Sequence, residues 1–188
     1  MVETLSRVSP LIDCGAETDE RNPRITERSG LGQVNLRGNS ADEGFCQAVE
    51  ATLGLTLPEA GQSATAGPVT VLWLGPDEWL VVTDNGGDAL VGSLGHALKG
   101  LDVAVTDVSD ARAVIRLVGT TARDVLAKGC TVDLHPRVFG PGQVVQSTLA
   151  KADVILYQVT GDDLAFHIHV GRSFAEYLWW WLEDAVDH

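Results

Sequence analysis

Arg112-Ala-Val-Ile-Arg-Leu-Val-Gly119, followed by Thr120-Thr-Ala-Arg-Asp-Val-Leu-Ala-Lys128, decides the fold because it repeats a pattern the chain has already used. The earlier copy is Gln33-Val-Asn-Leu-Arg-Gly38, followed by a helical segment. In both places a strand of alternating character stops on a glycine, and a helix opened by Ser or Thr begins within a few residues. Leu117 and Gly119 therefore stand where Leu36 and Gly38 stand, and a self-similar chain of this kind reads as two halves of one plan.

In the first half, Ser40 with Glu43 forms a capping-box pattern. Phe45, Ala48, Val49 and Leu53 share one helical face, and Gly54 supplies the stop. Val69–Leu74 and Trp79–Thr83 read as strands joined by the turn Gly75-Pro-Asp-Glu78. Residues 87–98 carry Leu90, Val91, Leu94 and Leu98 at helical spacing, and Val103–Val108 returns as a strand. In the second half the strands Val144–Leu149 and Val154–Val159 lead through Gly161-Asp-Asp163 to Ala165–Val170, with Phe166 in the place of Trp79. A last helix follows Ser173-Phe-Ala-Glu176, another capping-box pattern. Its expected core stripe is Phe174, Tyr177, Leu178, Trp181, Leu182 and Ala185. Strands and helices in this order give an α+β class, built as duplicated split βαβ, ferredoxin-like halves. The expected organisation is an extended arm over residues 1–30 and one domain over 31–188, with pseudo-repeated halves at about 31–108 and 109–188.

Composition narrows the function classes. With 45% apolar and 21% charged residues among 188, the chain can bury a core, and its formal charge of −13 gathers no basic stripe for nucleic acid. The start lacks the apolar run of a signal peptide, and no stretch approaches the roughly 18 apolar residues of a membrane span, so a cytoplasmic location is expected. Cys14, Cys46 and Cys130 are odd in number and widely spaced, which reads as reduced thiols rather than disulfides or a zinc knuckle.

The chemistry-bearing constellations are few. His167 and His169, at i and i+2 on one strand face, could offer two imidazoles to zinc. Their possible co-ligands, Cys130, Asp133 and His135, sit on a separate loop, and solvent or interface histidines are the favoured reading. Cys130 as a nucleophile would need a base and an activating charge; Lys128 is near in sequence, but a cysteine just after a helix reads as structural. No glycine-rich cradle for a nucleophile, dinucleotide or phosphate occurs. In Trp179-Trp-Trp181 the periodicity puts Trp181 on the core stripe and leaves Trp179 and Trp180 to either side, which points to a subunit interface.

Ile25-Thr-Glu-Arg-Ser-Gly-Leu-Gly-Gln-Val-Asn-Leu-Arg-Gly38, Leu74-Gly-Pro-Asp-Glu-Trp-Leu-Val-Val82, Asp107-Val-Ser-Asp-Ala-Arg112 and Arg172-Ser-Phe-Ala-Glu-Tyr-Leu-Trp179 together resemble the sarcosine oxidase gamma subunit family, over nearly the whole chain. Asp107-Val-Ser109, Gly119-Thr-Thr-Ala122 and Leu126 look like the core motif of the wider folate-binding, aminomethyltransferase-like superfamily of the glycine cleavage T-protein. The resemblance implies a non-catalytic gamma subunit in a heterotetrameric flavoprotein that oxidises sarcosine to glycine and H2O2 and passes a one-carbon unit to tetrahydrofolate. It implies alpha, beta and delta partners that hold NAD, FAD, FMN, tetrahydrofolate and zinc, with no catalytic, cofactor or metal residue in this chain. Arg172, Trp179 and Trp180 are the candidate interface residues. The alternative is a stand-alone folate-binding transferase, for which Asp153 resembles the catalytic aspartate, though the glycines expected before it are replaced by Leu149-Ala-Lys-Ala152. Lys128-Gly-Cys130 is similar to a motif of iron–sulfur-linked folate proteins, but Thr131-Val-Asp-Leu134 departs from what should follow.

Overall fold

The computed structural model describes residues 8–14, 22–161 and 164–188. One five-stranded antiparallel sheet is formed by β2 (Gly32–Arg37), β3 (Ser63–Ala66), β4 (Val69–Gly75), β5 (Glu78–Thr83) and β6 (Ala104–Asp107), in the order β3-β4-β5-β2-β6. Helices α1 (Glu43–Leu53) and α2 (Gly87–Ala97) belong to it. A second antiparallel sheet is formed by β1 (Arg24–Glu27), β7 (Arg112–Val118), β8 (Val144–Leu149), β9 (Ala152–Gln158) and β10 (Ala165–Gly171), in the order β1-β7-β10-β9-β8, with α3 (Ala122–Ala127) and α4 (Ala175–Asp187). The class is α+β.

The two sheets superpose in plan: β3, β4, β5 and β2 correspond to β8, β9, β10 and β7. Leu36 opposes Trp79 in the first sheet, and Leu117 opposes Phe166 in the second, so the pairing read from the glycine-terminated strands is present in the register. The fifth strand breaks the sequence order. In the first half it is β6, which follows α2; in the second half β1, which precedes the first half in the chain, takes the equivalent edge, pairing Ile25 with Leu117. Part of the stretch read as an extended arm is thus a strand, with Ile25 buried and Leu11 and Cys14 buried in the same cluster. A lone four-residue strand carries too little periodicity to be separated from a loop by sequence.

The equivalent glycines serve this arrangement in different ways. A Cβ on Gly38 would stand 2.6 Å from the Phe45 ring, so the glycine admits α1 onto the sheet. A Cβ on Gly119, whose φ is +146°, would stand 2.1 Å from Asn22 Oδ1 and 2.8 Å from Pro23 Cα, so that glycine admits the segment leading into β1. Thr120 and Thr121 complete the join: Asn22 Nδ2 donates to Thr120 Oγ1 at 2.8 Å, and Thr121 Oγ1 donates to the Asn22 carbonyl at 3.0 Å. Thr121 makes no side-chain cap on α3, contrary to the helix-opening role expected for it.

Successive strand residues face opposite ways. Val71 and Val81 meet α1 and α2, while Leu72 and Leu80 meet Val144, Ile155 and Tyr157 of the second sheet. Ile115, Leu117, Phe166 and Ile168 meet α3 and α4. The layers therefore run helix, sheet, sheet, helix. Among the described residues no helix is long and apolar enough to cross a membrane.

Both expected capping boxes are replaced. The N-cap of α1 is Asp42, whose Oδ1 accepts from Gly44 N at 2.8 Å and Phe45 N at 3.2 Å. Before α4 a 3-10 turn, Arg172–Phe174, leads in, and no side-chain cap forms. Asp42→Ala is expected to cost about 1 kcal/mol in urea denaturation, because two N–H groups at a positive helix end lose their shared acceptor, while Ser40→Ala changes stability by less than about 0.5 kcal/mol.

Candidate functional site

On α4, Ala175, Leu178, Trp179, Leu182 and Ala185 are buried, one position out of phase with the stripe expected from the sequence. Trp179 is 3% exposed and belongs to the core, which removes it from the interface candidates. Phe174 and Tyr177, expected in the core, are 47% and 39% exposed, and Trp180 is 52% exposed. Trp181 is half-buried at the rim and lies over Gly129, where a Cβ would come within 2.6 Å of its ring. The 3-10 turn sets the phase of the helix before it meets β7, β10 and α3. Aromatic residues on both sides of the stripe leave the moment of the sequence unable to report that phase.

The outcome is an exposed aromatic set at three-residue spacing: Phe174 at the end of the 3-10 turn, then Tyr177 and Trp180 on α4. Phe174 and Tyr177 meet edge to face with centroids 6.5 Å apart. Arg172, at the head of the row, donates from Nη2 to the Val8 carbonyl at 2.5 Å and so ties the N-terminal segment to the start of α4. Val8 and Ile12 on that segment are also exposed. Large aromatics held outward on a rigid helix are the residue types that dominate protein–protein contacts.

A second feature lies between the sheets. Tyr157 on β9 and His167 and His169 on β10 face Thr70 and Leu72 on β4 and Val82 and Thr83 on β5 across a cleft of about 210 Å³, with Arg28 at its edge. The histidines share a face, as the i, i+2 spacing requires, but they are not solvent groups: His169 is 2% exposed, and Nε2 of His167 is sealed without a partner. Burial, then Arg28 and Arg116, push the His167 imidazole down to about 4. Burial, then His167, Arg112 and Arg28, push His169 down to about 3. Cys130, Asp133 and His135 line a different depression, beside α3, and are not brought to the histidines. Among the described residues no group of three or more His, Cys, Asp or Glu is placed to hold a metal. The cleft is also smaller than the roughly 300–1,000 Å³ of ordinary ligand and cofactor pockets, so it does not fit a flavin or a dinucleotide.

The remaining motif residues have structural partners. Asp107 Oδ1 accepts from Ser109 N at 2.8 Å and Ser109 Oγ at 2.5 Å, and Ser109 Oγ accepts from Gln33 N at 2.9 Å. The motif thereby fastens the exit of β6 to β2. Lys128 Nζ donates to the Ala185 carbonyl at 2.6 Å and ties α3 to α4. Asp153 is exposed on β9 in an open groove with Arg112, Gln146 and His169. The buried pair His167 and His169 and the outward Phe174 and Tyr177 are what the sequence reading placed differently. Arg28 directly follows β1 and lines the cleft, while Arg112 and Arg116 lie on β7, which pairs with β10.

Comparison with known proteins assigns these features a context. The model of the sarcosine oxidase, gamma subunit family matches residues 37–188. The sarcosine oxidase subunit gamma of an Arthrobacter species is 40% identical over 156 residues, covering 82% of this chain and 75% of that protein. A chain of the heterotetrameric sarcosine oxidase from Corynebacterium sp. U-96, solved in complex with pyrrole 2-carboxylate, matches with a TM-score of 0.85 and 34% identity, over 96% of this chain and 95% of that one. The glycine cleavage system aminomethyltransferase T from Bartonella henselae matches with a TM-score of 0.66 at 17% identity, over 84% of this chain and 44% of that one, which is a likeness of fold.

Proposed function

The chain belongs to the sarcosine oxidase gamma subunit family, and from that premise we propose that it is a structural, non-catalytic subunit of a heterotetrameric sarcosine oxidase. In this reading the alpha, beta and delta partners carry NAD, FAD, FMN, tetrahydrofolate and zinc. The complex works in the cytoplasm and converts sarcosine, oxygen and water to glycine, H2O2 and a carbon at the formaldehyde level, which passes to tetrahydrofolate. The family match carries the reading. The outward row Phe174, Tyr177 and Trp180 supports it, because three exposed aromatics on the 3-10 turn and the first turns of α4 are poorly placed for water and well placed for another chain. Arg172 contributes through the Val8 segment that it holds beside the row.

Affinity purification of the tagged chain from its native host is expected to recover three further subunits and a yellow flavin spectrum. A colourless lone protein would sink the proposal. The row itself is tested by Trp180→Asp, which is expected to lower recovery of the partners more than tenfold through loss of an interface anchor. Its circular dichroism and melting of the chain should stay close to wild type, since the side chain is half exposed. Undiminished recovery would move the interface elsewhere.

A further inference from the structure

Trp180 stands on α4 opposite the centre of the buried stripe formed by Ala175, Leu178, Trp179, Leu182 and Ala185. Its four nearest helical neighbours, at i−4, i−3, i+3 and i+4, are Glu176, Tyr177, Glu183 and Asp184. Glu176 and Asp184 are exposed, one turn before and one turn after the indole, and Glu183 is half-buried on the flank. Residues 173–188 hold four carboxylates and no lysine or arginine. Two cations stand near the helix, and both donate to backbone carbonyls: Arg172 to Val8 ahead of it, and Lys128 to Ala185 on the side that meets α3. Asp184 has His188 Nδ1 at 3.5 Å, a counter-charge only when that imidazole is protonated.

This arrangement costs the helix by itself. Asp184 lies in the last turn, where the backbone carbonyls concentrate negative potential, and no basic residue stands there. A cation supplied from outside relieves that repulsion, and the face of the Trp180 indole attracts the same charge through its quadrupole. An approaching carboxylate or phosphate is repelled by both. Among cations the guanidinium fits this site best. It is planar, it stacks on an indole, and it can hold a carboxylate through two N–H groups at once, whereas the ammonium of lysine is a strongly hydrated point charge.

We propose that Trp180, flanked by Glu176 and Asp184, is a docking platform for an arginine side chain of a partner subunit: the guanidinium lies flat on the indole and donates to the carboxylates, and Tyr177 packs on its aliphatic stem. The proposal rests on the subunit reading and deepens it by naming the chemistry of the surface that meets the aromatic row.

The test measures recovery of partners on the tagged full chain from its native host, at low salt and at about 0.5 M salt. Wild type is compared with the double variant Glu176→Gln with Asp184→Asn, and with Glu50→Lys on the exposed side of α1, which changes the net charge by the same amount. At low salt the double variant is expected to retain partners about tenfold less well than wild type, and Glu50→Lys to stay within about twofold. The gap should narrow at high salt, where the Debye length falls to about 4 Å, which a misfolded variant would not show. Trp180→Leu, which keeps an apolar side chain and deletes the indole face, should lose several-fold at low salt. If Trp180→Asp releases the partners and the double variant does not, the row is an interface without a cation on it: this proposal fails and the subunit reading stands. If wild type recovers no partner, both fail. A zero-length carbodiimide cross-link from Glu176 or Asp184 to a partner lysine would overturn the assignment to arginine.

Discussion

Trp179→Ala is expected to lower the unfolding free energy by about 3–5 kcal/mol in urea denaturation, while Trp180→Ala, one residue further on, changes it by less than about 0.5 kcal/mol. The contrast follows from phase alone. Trp179 sits with Leu178 and Leu182 against Ala122, Val125, Leu126 and the inner face of the second sheet, so truncation removes an indole from a closed cluster and leaves a cavity. Trp180 leaves no hole when truncated. The indole of Trp179 also carries a cost, because its Nε1–H is buried without a partner. Trp179→Phe deletes that donor while keeping an aromatic ring, and is expected to lose less than half of what the alanine variant loses. Chevron or equilibrium curves showing equal, small losses for Trp179→Ala and Trp180→Ala would mean that α4 is rotated from the orientation described here.

The contrast also marks where the sequence is legible. Elements whose ends are punctuated and whose apolar residues are of one size were readable: Gln33–Arg37 before Gly38, Val69–Leu74 and Trp79–Thr83 around their turn, and the paired partners Leu36 with Trp79 and Leu117 with Phe166. α4 was readable as a helix, but its facing was not. The five aromatic residues from Phe174 to Trp181 include both inward and outward ones, whereas Ala175 and Ala185, which are buried, weigh little on a hydrophobic scale. The small strand β3 and the edge strand β1 escaped for a different reason. Each is four residues long, and the place of β1 depends on its pairing with β7, far along the chain, which no local pattern can express. Gly119 held a trace of it, since a glycine there serves the passage of Asn22 and Pro23. The cleft was half legible: the i, i+2 spacing gave the shared face of His167 and His169 but could not say that this face looks onto another sheet.

That burial has a consequence in acid. His167 and His169 are held neutral in the folded chain, at about 4 and about 3, against roughly 6.5 for a histidine in an unfolded chain. Above pH 6.5 both states leave the rings neutral and nothing changes. Below it the unfolded chain takes up two protons that the folded chain refuses, so stability must fall as pH falls. The slope is up to about 1.4 kcal/mol per pH unit for each ring, and it persists until the folded rings begin to protonate, near pH 4 for His167 and pH 3 for His169. By pH 5 the loss relative to pH 7 amounts to roughly 4 kcal/mol, a large share of the 5–15 kcal/mol that holds an ordinary domain together. The charges that resist protonation are Arg28 and Arg116 around His167, and Arg112 and Arg28 around His169. Urea midpoints of the full chain at pH 7, 6 and 5 should therefore fall steeply. In the double variant His167→Gln with His169→Gln, whatever its absolute stability, the midpoints should be much flatter over the same range. A wild-type chain whose midpoint holds steady from pH 6.5 to 5, or a double variant with the same slope, would show that the rings are reached by water and that the two sheets part at this face.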